Sequence, residues 1–181
     1  MSKPPNPDYL KLWVNSWSQT YPIPYDTLLD KLRGLPHFTI EQMAALVDWK
    51  YPPPLTGRRL WRHNNIRDLL QTNSEQAVID TTAAAFAQTD DDRRALNLIM
   101  KLSGVGMAIG STALTAHDPT RFTVYDDRAS KSLLVLGYLT RWGYWVPYLN
   151  ACRALARETD HDLRTVDRAL FMAKGRLTLP D

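Results

Sequence analysis

Apolar residues recur along most of this chain at the three- and four-residue steps of an α-helix, not at the alternation of a strand. Met43, Leu46 and Val47 follow a Thr39 cap with Glu41 and Gln42 in the first turn, and Ala77, Val78, Thr81, Ala84 and Ala85 follow Ser74. The same spacing predicts helices over about 64–71, 90–100, 107–117, 127–136, 143–158 and 162–174. In the last of these, Leu163, Val166, Ala169, Leu170 and Ala173 share one face behind an Asp162 cap. The one extended candidate is "RFTVY", residues 121–125, and a single five-residue run cannot build a sheet. The expected fold class is all-α. Prolines punctuate it, with Pro4, Pro5, Pro7, Pro22 and Pro24 near the start and Pro52 to Pro54 in a row. They read as breakers and extended linkers, and the first twenty residues are expected to be loosely held.

Between the helices predicted at 90–100 and 107–117 stands "LSGVG". Gly104 can supply the left-handed residue that closes a helix C-terminus without a Cβ penalty. Gly106 opens the next helix, whose first amides have no intrahelical partner and carry the positive end of the dipole, so a phosphate could approach bare backbone there. Val105 between them can turn inward and pin the corner. An ordinary tight helix–turn–helix corner would use the same residues. Asp126 and Asp127 follow about twenty residues on, at the start of another predicted helix, where one of them is expected to serve as its N-cap.

Composition narrows the classes. A chain of 181 residues can bury about two-thirds of the surface its unfolded form exposes, so it needs no external staple. Its single cysteine, Cys152, excludes an intramolecular disulfide and any four-cysteine metal or iron–sulfur site built from this chain alone. No signal-peptide run and no eighteen-residue apolar stretch is present, so a soluble, cytoplasmic protein with no membrane partner is expected. His37, His63, His117 and His161 lack ligand spacing, and no zinc site is expected. The net charge of +3 permits a nucleic-acid partner without demanding one. Its distribution says more: from Lys50 to Arg67 the chain carries Lys50, Arg58, Arg59, Arg62 and Arg67 with no acid, interleaved with Tyr51 and Trp61. Cations mixed with flat aromatics suit a surface that tracks phosphates and stacks bases, although a solvated face over two core aromatics would read alike. "RWGYWVPY", residues 141–148, is dense in aromatics and reads as core between lobes, with base stacking the alternative, for which Trp142 and Trp145 are also candidates.

The run "LSGVGMAIGSTALTAHDP" resembles the helix-hairpin-helix of the endonuclease III and alkyladenine-type DNA glycosylase superfamily, and "RFTVYDD" stands where those proteins present an aspartate at the start of the next helix. "DWKYPPPLTGRRLWRHNN" is similar to a less characterised branch without an iron–sulfur cluster, so the resemblance spans roughly residues 38 to 175. It implies two helical lobes with a cleft between them: 36–118 with the hairpin at about 90–117, and 1–35 joined to 119–181. It also implies a monofunctional DNA N-glycosylase that flips out a damaged or modified base and leaves an abasic site. The partner would be double-stranded DNA and the protein a monomer. Endonuclease III-like spacing selects Asp126 as the catalytic acid, and the alkyladenine-type pattern of two consecutive aspartates selects Asp127. The lysine of bifunctional members is replaced by Ala108, so no lyase step is expected. Backbone contacts would come from Lys101, Gly104, Val105 and Gly106 with Arg58, Arg59 and Arg62. Trp49, Lys50, Tyr51, Trp61 and Tyr125 are candidates for the base pocket. No cofactor serves the chemistry, and a monovalent cation, potassium or sodium, at the hairpin is a feature of the superfamily. Two other readings remain: a catalytically silent helix-hairpin-helix DNA-binding module whose carboxylates are caps, and a helical interaction domain that never meets DNA.

Overall fold

The computed structural model describes residues 6–22 and 26–180, which hold ten α-helices and no strand. In chain order they are α1 Pro7–Gln19, α2 Thr27–Leu32, α3 Ile40–Lys50, α4 Gly57–Leu70, α5 Glu75–Phe86, α6 Asp92–Ile99, α7 Met107–His117, α8 Asp127–Val135, α9 Trp145–Thr159 and α10 Leu163–Ala173. They form two compact units, Met1–Ile23 with Pro119–Asp181, and Pro24–Asp118. The expected grouping of 1–35 with 119–181 leaves α2 in the first unit; its contacts with α7 and α3 put it in the second.

The first unit is α1, α8, α9 and α10. Contrary to expectation, residues 7–19 are not loosely held. Asn6 accepts a hydrogen bond from the Asp8 amide, and Pro7 sits in the first turn, where its missing N–H costs nothing. Leu10, Trp13, Val14 and Trp17 then fall on one face and are buried, chiefly against α10 and also against α9. Pro7 therefore starts a helix here. At the other end of the unit, α10 is capped by Asp162, which accepts from the Thr165 amide at 2.8 Å, and it packs on both α1 and α8.

In the second unit α7 is central, touching α2, α3 and α6. Every residue from Ile109 to Ala116 is buried, so the helix has no solvent flank. Its hydroxyls are satisfied within it: Ser111 and Thr112 donate to the Ala108 carbonyl and Thr115 to that of Ser111. Gly110 is explained by packing, because a Cβ there would lie 2.9 Å from Leu96 Cδ1 and 3.5 Å from Met100 Cγ. Helix α4 is the opposite case. It begins at Gly57, well before the predicted 64, and buries only Leu70.

Truncating the largest buried side chain of α1 tests whether this helix belongs to the fold. Trp13→Ala is expected to cost about 3–5 kcal/mol in urea denaturation; a cost near zero would mean that α1 is not docked.

Candidate functional site

The two glycines of the turn do different work. Gly104 has φ +80°, and a Cβ there would lie 2.6 Å from the Ile66 carbonyl and 2.9 Å from the Leu70 amide. Only glycine lets the turn seat against the backbone of α4. Asn73, just past α4, completes the joint by accepting from the Ser103 amide at 3.0 Å and donating to the Ser103 carbonyl at 3.2 Å. Val105 turns inward and is buried, and its amide donates to Leu102 at 3.1 Å. Gly106 is exposed, is the N-cap of α7, supplies no side-chain cap, and would meet nothing within 4 Å if it carried a Cβ. Lys101, Ser103 and Gly106 are thus the turn residues at the surface, while Gly104 and Val105 hold it in place. The first turn of α7, Met107 and Ala108, is half-buried, and Ala108 offers no amine.

Helix α4 carries Arg58, Arg59, Arg62, Leu60 and Trp61, all exposed, in its first two turns. Trp61 is 65% exposed and is not a core aromatic. A helix without an apolar stripe needs polar anchors, and Asp48 of α3 is one. It receives Arg67 Nη1 at 2.7 and 2.5 Å on its two oxygens and sits 2.7 Å from His63 Nε2. Partial burial by itself would raise the Asp48 carboxyl, but the hydrogen bonds and charges of Arg67 and His63 hold it below its ordinary value. Asp48 and Arg67 also line an open depression of about 540 Å³ with Glu41, Gln71 and Glu75. At the end of α3, Trp49, Lys50 and Tyr51 are half-buried.

The carboxylates lie in the other unit. Residues 121–126 belong to no helix and no strand, and α9 supplies donors to their carbonyls. Trp145 Nε1 donates to the Thr123 carbonyl at 3.2 Å, the Tyr148 hydroxyl to Val124 at 3.0 Å, and Arg153 to Arg121 at 2.7 Å. This tethered segment delivers Asp126, half-buried, as the N-cap of α8; its Oδ1 accepts from the Arg128 amide at 2.8 Å. Asp127 occupies the first helical position and is exposed. Of the pair, Asp126 is therefore the cap.

Tyr125, beside the acid, packs edge-on against Tyr148 with ring centroids 5.2 Å apart, and its hydroxyl accepts from the Gly143 amide at 3.0 Å. The aromatic run 141–148 divides where α9 begins. Trp145 and Tyr148 are core, as expected, whereas Trp142 and Tyr144 are 50% and 51% exposed, against expectation. Helix geometry turns positions 145 and 148 to the same inner face, and the residues before the helix escape that constraint. Asn73 and Asp48 carry no local signal that marks them in the sequence. Each depends on a neighbour distant along the chain.

No protein family, curated protein or solved structure matches this chain. Among the described residues no helix is long and apolar enough to cross a membrane.

Two substitutions separate the glycine roles. Gly104→Ala is expected to lose about 2 kcal/mol or more through positive φ and the clash with α4, and Gly106→Ala to stay within about 0.5 kcal/mol of wild type. Equal urea midpoints for the two would refute the assignment. The charge on Asp48 gives a pH test. A depressed carboxyl contributes its stability above the ordinary value of 3.8 and loses it as pH falls through the lower folded value. The urea midpoint of Asp48→Asn should therefore lie below that of wild type at neutral pH and converge with it in acid; a deficit that does not change with pH would show that the charge is immaterial.

Proposed function

We propose that the protein is a monofunctional DNA N-glycosylase of the helix-hairpin-helix kind. The observation that carries the reading is the division of labour at the turn. Gly104 is locked onto basic α4 while Gly106 exposes an uncapped helix N-terminus, a backbone site for a phosphate. Lys101 at the turn and Arg58, Arg59 and Arg62 on α4 add cations that a DNA backbone would neutralise. Asp126 supports the catalytic half of the proposal. A carboxylate held at a helix start, half-buried, can stabilise positive charge developing on the sugar and orient the attacking water. Base extrusion would need an aromatic surface, and the candidates are Trp49, Tyr51 and Trp61 with Lys50 in one unit and Tyr125 in the other. Ala108 has no nucleophile to offer, so the product is an abasic site without strand cleavage. A monovalent cation at the turn would be held by backbone carbonyls; those of Ser103 and Leu102 already accept from Asn73 and Val105, and no step is assigned to the ion.

The capping bond of Asp126 favours one alternative, a DNA-binding module in which both carboxylates are structural. Abasic-site formation on duplexes carrying a panel of modified bases separates the two. Asp126→Asn is expected to lower excision by about a hundredfold or more while leaving duplex binding intact, and Asp127→Asn to retain excision. Salt-sensitive binding with no excision of any base would decide for the module, and loss confined to Asp127→Asn would move the chemistry to that residue.

A further inference from the structure

From Arg128 to Arg157 the chain carries Arg128, Lys131, Arg141, Arg153 and Arg157 and no acid, a second basic run besides the one on α4. Its two exposed aromatics, Trp142 and Tyr144, flank Gly143 in the connection between α8 and α9. Each already has a cation over its ring: Lys131 Nζ lies 5.9 Å from the Trp142 centroid, and the Arg141 guanidinium 4.5 Å from that of Tyr144. The connection is held in place, because the Gly143 amide donates to the Tyr125 hydroxyl and the Tyr148 amide to the Tyr144 carbonyl. The nearest acids along the chain are Asp126 and Asp127 before it and Glu158 beyond it, the last engaged by the Tyr138 hydroxyl.

We infer that Trp142 and Tyr144 form a stacking platform for an unpaired nucleobase, with Arg141 and Lys131 meeting its flanking phosphates. Side chains held half-exposed keep flat apolar surface in water, and a base can cover it without sequence preference. The cations over the rings place positive charge where a phosphate beside a stacked base would run. Through the Tyr125 hydroxyl, this connection is hydrogen-bonded to the residue that precedes Asp126. The inference deepens the glycosylase reading, since an enzyme that extrudes a base needs a surface for unpaired nucleotides, yet its test does not require excision. An anionic lipid surface could also meet such a patch, but two aromatics in a short connection provide no amphipathic helix to lie in a bilayer interface.

The test measures binding of a short oligothymidylate by fluorescence anisotropy, with a fully paired duplex and phosphatidylserine vesicles as comparisons. Trp142→Ala and Tyr144→Ala are each expected to weaken oligothymidylate binding about tenfold and duplex binding far less. Trp142→Phe should bind like wild type. Arg141→Ala should reduce the slope of log affinity against log salt by about 0.7. Unchanged urea midpoints would confirm that the variants fold. Absence of wild-type oligothymidylate binding, equal affinity in the double alanine variant, or equal losses on duplex would each overturn the inference. So would aromatic-dependent binding found only with the vesicles. Aromatic-dependent oligothymidylate binding in a protein that excises no base would uphold the platform and sink the glycosylase reading alone.

Discussion

A stretch of backbone without a partner strand governs the first unit. Residues 121–126 leave their carbonyls to be satisfied by something other than a sheet, and three side chains of α9 do so in succession. Trp145 also stacks on Phe122 at 5.9 Å, so the tether is apolar as well as polar. The position of Asp126 is therefore inherited from α9, whose buried residues include Leu149, Cys152 and Leu155 of the core. Burial keeps the Tyr148 hydroxyl and the Cys152 thiol neutral by pushing both far above their ordinary ranges. Tyr148 can then act as a steady donor to Val124, and Cys152 is a packing residue with no thiolate chemistry.

The second unit solves a related problem in another way. Its basic helix has no apolar stripe, so hydrophobic burial cannot hold α4 along its length. Three local devices substitute: the Asp48 contacts with Arg67 and His63, the seat of Gly104 on the helix backbone, and the reciprocal Asn73–Ser103 hydrogen bonds. All lie at His63 or beyond it, which leaves Arg58, Arg59, Leu60, Trp61 and Arg62 exposed. Such an arrangement tolerates a high density of like charge because the charged turns are solvated.

Periodicity reports buried faces, and its successes and failures follow from that. Helix α7 was legible from its flanking glycines and apolar run, and α10 from a stripe behind Asp162. Only the end of α4 was legible, because its first two turns bury nothing. Helix α1 had a full stripe at 10, 13, 14 and 17, but its prolines read as breakers when one of them was a first-turn residue. At the candidate site, an open backbone at 106 was readable from helix-start chemistry, whereas Gly104 does not close α6 as expected: that helix is capped by Met100 in the right-handed region, and the positive φ of Gly104 serves the turn beyond it. That Gly104 meets α4, and not a ligand, depends on packing between segments some thirty residues apart, which no local pattern encodes. Part of the aromatic run turned on where α9 begins: with the helix starting at Trp145 and not at 143, Tyr144 becomes its N-cap and falls outside the inward-facing register, as Trp142 does in either case.

The burial of α7 constrains what its partner can be. With Ile109 to Ala116 enclosed, the helix can meet a ligand only through its first turn, amide end foremost. Helix α4, seated on the same turn, offers the contrary geometry, an exposed flank with arginines spaced along it. A small anion could use the helix end but would have no use for the flank, and a flat acidic protein surface could use the flank but could not enter the helix end. The proposed DNA partner, an extended polyanion with regularly spaced charges, would engage both at once, so the proposal leans on the turn and α4 together and not on the modest net charge of the chain.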